Sequence, residues 1–263
     1  MLMKLFKYDI KYLMRNISVF YLFTIISAVI YALIHSIKNS FTIFAIIEPL
    51  FAVFLFILLL GTILYSFYLG IKRFYQNTLK DEGYLTNTLP VKKSTIVLAR
   101  LLANTLTMIC TTAVCIIIAF LIDYESFDLS SLGNEVVPGL NGYAFLIIII
   151  FILISQFATY ATSFYSALSL GNKHNSNKII WSIIYGIGIY IAMQTISIIT
   201  IVIYALLMSS GNADFAVYLT ESGTSQSTII LQLLTIAFTL NIIYTVINFF
   251  ITTYTLKNKL NLE

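Results

Sequence analysis

Ala144-Phe145-Leu146-Ile147-Ile148-Ile149-Ile150-Phe151-Ile152-Leu153-Ile154 is an unbroken apolar stretch, and no charged residue interrupts the chain from there to Leu170. A run of about 18 or more such residues is long enough to cross a bilayer as a helix. A helix meets its own backbone hydrogen-bonding needs in lipid. A strand of a transmembrane barrel would alternate apolar and polar residues over about ten positions, and residues 146–154 do not alternate at all. Five further runs of the same kind flank this one, at residues 19–37, 44–69, 95–122, 179–208 and 229–255, with the quoted run completing a span at 144–170. The bulk composition agrees: 59% hydrophobic, 10% charged, mean hydropathy +0.93. A soluble domain of this composition would leave large apolar patches in water. The expected fold class is an all-α membrane protein with six transmembrane helices, forming a single permease-like domain over residues 1–263.

The basic residues fix an orientation, because Lys and Arg accumulate in cytoplasmic connections. Lys4, Lys7, Lys11 and Arg15 precede the first span. Lys72, Arg73, Lys80, Lys92 and Lys93 lie between the second and third, with Arg100 just inside the third. Lys173 and Lys178 separate the fourth and fifth, and Lys257 and Lys259 follow the sixth. The opposite connections hold one basic residue, Lys38, together with Asp123, Glu125, Asp128, Glu135, Asp214 and Glu221. Both termini are therefore expected in the cytoplasm and the protein in the cell membrane. The net charge of +4 reflects this asymmetry and gives no reason to expect a nucleic-acid partner. The first run reads as a span rather than a cleaved signal, since it follows a long basic segment and offers no clear small-residue cleavage site.

Residues 1–16 have their own pattern. At 100° per residue Lys4, Lys7, Lys11 and Arg15 fall within about 80° of arc, and Leu2, Leu5, Phe6 and Leu13 point the other way. This predicts an interfacial amphipathic helix on the inner membrane surface, with its basic face toward anionic lipid headgroups. Asp9 falls on the apolar side, out of keeping unless another helix supplies a partner. Glu48 and Pro49 suit the first turn of the second span; Glu48 is read either as structural or as part of an outer gate. Asn212 is placed to cap a short helix in the connection before the sixth span. Cys110 and Cys115, five residues apart within one span, face different directions and read as packing residues. His35 and His174 read as separate polar or interfacial histidines.

Several chemistries leave no signature. There is no G-x-x-x-x-G-K-[ST] phosphate loop, no H-E-x-x-H, no C-x-x-C and no G-x-S-x-G. No catalytic or metal-binding residue is nominated. The span centres are nearly free of ionisable residues, which usually mark ion or proton pathways. Their polarity comes from Gln156, Gln194, Gln232, Asn241 and Asn248 with many Ser, Thr and Tyr. These five amides either join helices or line a substrate path.

The most specific segment is Leu79-Lys80-Asp81-Glu82-Gly83-Tyr84-Leu85-Thr86-Asn87-Thr88-Leu89-Pro90-Val91, followed by Lys92-Lys93-Ser94-Thr95. It reads as a short cytoplasmic helix with an apolar edge of Leu79, Leu85 and Leu89. Pro90 ends it by disfavouring helix in the residue before it, and Ser94 is placed to cap the third span. That span, about 42 Å long at 1.5 Å per residue, exceeds the ~30 Å hydrocarbon core.

This stretch resembles the first cytoplasmic loop of type-2 ABC exporter permeases. There an acidic residue and a glycine precede a coupling helix, and a Leu-Pro-Val or Thr-Pro-Val turn leads into the third span. Glu82, Gly83, Leu89, Pro90 and Val91 match, and Arg100 stands where a basic residue commonly sits. The resemblance implies that residues 71–94 form a coupling loop, with Glu82, Gly83, Leu85, Leu89 and Pro90 meeting an ATPase. It implies two permease subunits, identical or different, above two cytoplasmic ABC ATPase chains that carry the ATP and magnesium; this chain needs no cofactor of its own. The connection 209–228 is short and polar where the family often has re-entrant helices. The expected function is ATP-driven export of a peptide, lipid or drug-like amphipathic substrate. The alternatives are a non-transporting immunity or sensor partner of an ABC ATPase, and an intramembrane enzyme.

Overall fold

The computed structural model describes residues 1–37, 42–80, 83, 91–122, 135–137, 140–174, 176–211 and 223–258. Six of its helices are long and apolar enough to cross a membrane, which suits a multi-pass membrane protein. Isoleucine-rich runs are mediocre helix formers in water. In lipid the need to pair every backbone group outweighs that preference. The helices fall into two compact units, Met1–Phe127 and Asp128–Glu263.

The first unit holds α1 (Leu2–Ile37), α2 (Thr42–Phe74) and α3 (Lys93–Ile122). α2 continues through one π-helical turn, Tyr75–Leu79, marked by the Lys80 N–H donating to the Tyr75 carbonyl at 3.1 Å. Each helix packs on the other two. Leu13 and Ile17 of α1, Leu69 of α2 and Ala103 of α3 form the buried centre, beside a stacked Phe20–Tyr65 pair with ring centroids 4.0 Å apart. Further along the bundle the Thr111 hydroxyl of α3 lies 2.8 Å from the Tyr21 hydroxyl of α1 and 3.1 Å from that of Ser66 in α2.

Three local expectations need correction. α1 is one continuous helix of 36 residues, about 54 Å at 1.5 Å per residue, so residues 1–16 and the first span are not separate elements. Their apolar face turns inward, with Leu13 buried against the other helices and Phe6 packed beside it; Lys4, Lys7, Lys11 and Arg15 are exposed. Pro49 lies inside α2 rather than in its first turn. Transmembrane helices tolerate such a proline because neighbours re-satisfy the freed backbone. Nor does Ser94 cap α3: the helix starts at Lys93, and the Lys92 carbonyl accepts the Thr95 and Ile96 N–H groups.

The second unit opens with a short antiparallel pairing of β1 (Glu135–Val137) and β2 (Leu140–Asn141), in register Glu135 to Asn141 and Val137 to Leu140. It continues with α4 (Gly142–Gly171), α5 (Lys178–Gly211) and α6 (Gly223–Asn258). α4 is the centre: α5 and α6 both pack along it and touch each other sparingly. On α4 the buried Ser155, Thr159, Thr162, Ser166 and Ser169 follow steps of four and three residues, as do Asn241, Thr245, Asn248, Thr252 and Thr255 on α6. That spacing keeps each row on one helix face, and small polar side chains permit close approach with hydrogen bonds across the seam. The Thr159 hydroxyl donates to the Asn241 carbonyl at 2.9 Å and lies 3.0 Å from the Thr245 hydroxyl; Ser166 donates to Asn248 Oδ1 at 3.2 Å. Thr159→Val keeps the shape and deletes these bonds, so it should lower stability by about 1 kcal/mol. A thermal unfolding series in detergent tests this, and an unchanged midpoint would show that the seam rests on packing alone.

Candidate functional site

In the first unit, the end of the bundle where α2 leaves and α3 enters holds a buried charge cluster. Asp9, only 4% exposed, projects from α1 toward the other two helices. Arg73 of α2 donates through Nε to Asp9 Oδ1 at 2.9 Å. Arg100 of α3, 5% exposed, has its Nε 3.8 Å from Asp9 Oδ2. Its terminal nitrogens donate to the carbonyls of Arg73 at 3.3 Å, Phe74 at 3.2 Å and Asn77 at 3.3 Å, and to the Thr78 hydroxyl. Arg73 also donates to Asn77 Oδ1 at 3.1 Å and lies over the Tyr12 ring, 4.3 Å from its centroid.

The logic is that of a helix end. The carbonyls at the end of α2 and its π turn carry the negative end of the helix dipole and keep lone pairs for further donors. The π turn disturbs their register further. A guanidinium reaching across from α3 supplies several donors at once. Among the described residues both cations face the Asp9 carboxylate, and carbonyls at the end of α2 accept from Arg100 as well. The cluster thus fixes the ends of α1, α2 and α3 to the turn from which the chain passes into residues 81–90.

Of the residues nominated for coupling, Glu82, Leu85, Leu89 and Pro90 lie outside the described residues, as do Asn212 and the tail beyond residue 258. Gly83 is described: it is buried, and its N–H donates to the Lys80 carbonyl at 2.6 Å. One pointer to the cluster is legible in the sequence, the acidic Asp9 on the apolar face of an amphipathic segment. Arg100 stands out in the sequence as a basic residue just inside the third span, and nothing in the sequence signals the part of Asn77 and Thr78.

The second unit holds a cleft of about 350 Å3 between α5 and α6, floored by α4. Gln156, Gln194 and Asn241 line it, and Asn241 donates to Gln156 Oε1 at 2.8 Å. The other two nominated amides are elsewhere. Gln232 accepts a hydrogen bond from the Tyr204 hydroxyl, and Asn248 belongs to the α4–α6 seam with its Nδ2 3.6 Å from the Met193 sulfur. Tyr160, Tyr190 and Tyr244, read from sequence only as belt and packing residues, also line the cleft. Tyr244 donates to the Met193 carbonyl at 3.0 Å, with its hydroxyl 2.9 Å from that of Ser197.

The remaining polar residues are locally engaged. His35 Nδ1 lies 2.7 Å from Glu48 Oε1, so Glu48 reaches α1 rather than merely decorating its own helix. His174 stacks on Trp181 at 4.2 Å, with Nε2 3.1 Å from the Tyr185 hydroxyl. Both cysteines are free thiols. Among the described residues no three His, Cys, Asp or Glu side chains come together to hold a metal ion. The chain matches no protein-family model, no curated protein and no solved structure.

Proposed function

We propose that this chain is the membrane-spanning permease subunit of an ATP-driven exporter of the type-2 ABC kind, acting with a separate cytoplasmic ATPase that carries ATP and magnesium. In this reading it sits in the cell membrane with both termini inside, pairs with a second permease subunit, and moves an amphipathic substrate outward. The observation that carries the reading is the Asp9–Arg73–Arg100 cluster beside residues 81–90. A loop that receives force from a motor needs a stiff root. Here the chain enters the loop from a π turn tied by charge-assisted bonds to two further helices, so a push on the loop moves three helix ends together. The loop motif, the six membrane-competent helices and the one-sided basic residues support the same conclusion.

The experiment is co-expression with a candidate ATPase, followed by reconstitution. Glu82→Ala combined with Leu85→Ala should preserve ATP hydrolysis while flux falls by about tenfold or more, the loss of about 1.4 kcal/mol of coupling. Normal flux in that variant would remove the coupling role. A stable complex that hydrolyses ATP and moves nothing would favour the sensor or immunity alternative, and turnover of a peptide or lipid without any ATPase would favour an enzyme.

A further inference from the structure

The cleft in the second unit has segregated walls. α5 and α6 run antiparallel, as their bonds show: Ser197 meets Tyr244, and Tyr204 meets Gln232. Toward the Lys178 end of α5 the lining is Tyr190, Gln194, Asn241 and, from α4, Gln156 and Tyr160; toward the other end it is Ile201, Leu233 and Ile236. Among the described residues no charged side chain lines it. The Asn241–Gln156 bond occupies two of the amides. No protein partner is recorded for the Gln194 carboxamide or for the Tyr160 and Tyr190 hydroxyls among the described residues. All three are exposed, on helices that carry the apolar spans. A polar group that meets only hydrocarbon loses hydrogen bonds that water would have supplied. Three of them converging on one cleft beside an apolar channel describe the complement of a molecule.

We propose that this cleft binds an electrically neutral amphiphile, its uncharged hydrogen-bonding head held by Gln194, Tyr190 and Tyr160 and its alkyl tail lying along Ile201, Leu233 and Ile236. An ionised head is disfavoured because the walls offer no counter-charge, and burying an unpaired charge costs far more than burying a hydroxyl or ester. Gln194 donates and accepts, and each phenol can do either, so the site suits a glycerol, ester or amide head. If the chain is the permease proposed above, this names its cargo class; the binding itself requires no ATPase.

The test uses the full chain alone in lipid nanodiscs and a diazirine-tailed monoacylglycerol as the photoprobe. Labelling should map to segments 190–201 and 233–244, and unlabelled monoacylglycerol should compete. A fatty acid of equal length with the same diazirine, ionised at neutral pH, should label these segments at least about tenfold less. The double variant Gln194→Leu, Tyr190→Phe should bind the neutral probe about tenfold more weakly at an unchanged unfolding midpoint. If that variant does not fold, Ile201→Trp, which fills the apolar channel from an exposed position, replaces it with the same expected loss. Equal labelling by both probes, labelling elsewhere on the chain, or undiminished labelling in the folded variant would each overturn the proposal. Because no ATPase is present, a failure of coupled transport leaves this result unaffected.

Discussion

Replacing Asp9 by alanine is expected to lower stability by about 3–5 kcal/mol, the cost of removing one partner from a buried ion pair. Arg100 has little access to solvent, and Arg73 is mostly enclosed between Asp9, Asn77 and the Tyr12 ring. Neither guanidinium can escape its position by losing a proton. The Asp9 carboxylate faces both, hydrogen-bonded to Arg73 and 3.8 Å from Arg100 Nε, so its removal withdraws negative charge from each. The check is the unfolding midpoint and monodispersity of the purified variant, and wild-type behaviour would mean that the carbonyl contacts of Arg100 suffice. A second variant separates charge from packing. Asp9→Leu with Arg73→Met removes both members of the closer pair and should be milder than Asp9→Ala, since replacing a buried ion pair by apolar groups is often neutral.

Gly171→Val should produce the second large effect, about 3 kcal/mol, at the upper end for overpacking. A Cβ at Gly171 would fall 2.0 Å from the Ser182 hydroxyl oxygen, and 2.5 Å and 2.6 Å from the Ser182 nitrogen and Cα. The hydroxyl can rotate away; the backbone of α5 cannot, so α4 and α5 would have to separate at this contact. Gly186→Ala is the matched control on the same helix pair, because its Cβ would meet only the Ala167 methyl at an ordinary 3.6 Å. Its midpoint should shift little. A Gly171→Val protein as stable as the Gly186→Ala protein would show that the contact between these helices yields freely.

The number and kind of helices were legible because uncharged runs such as residues 144–170 admit one solution in lipid. Their ends were less legible. Pro49 and Ser94 are local signals that act strongly in water-soluble helices; here α2 begins seven residues before Pro49, and the turn into α3 is closed by the Lys92 carbonyl. Asp9 looked like a flaw because the apolar face of α1 was assigned to lipid. That face packs on protein, so a carboxylate there has partners 64 and 91 positions away, beyond the reach of any periodicity. The five amides stand out in the sequence as a group, yet their separation into cleft, seam and the Tyr204 contact depends on helix rotation. Tyrosines divide in the same way: Tyr190 and Tyr160 reach the cleft while Tyr254 lies exposed near the end of α6, and their abundance concealed the difference.

The polar seam of the second unit also bears on the timing of synthesis. α4 emerges from the ribosome roughly 80 residues before α6, a lead of roughly 4–16 s at ordinary elongation rates. During that interval its inward row faces lipid without its eventual neighbour. The row consists of hydroxyls, and each has an acceptor within its own helix to use until α6 arrives: the Ile152 carbonyl for Ser155, that of Ser155 for Thr159, that of Ala158 for Thr162, that of Ser163 for Ser166 and that of Ser166 for Ser169. Such back-bonding is open to serine and threonine and is far harder for a longer carboxamide. The seam's asparagines, Asn241 and Asn248, are carried by the helix made last. The seam's two asparagines are therefore translated only after the hydroxyl row that receives them, while Gln156 of α4 waits for Asn241 on the cleft side.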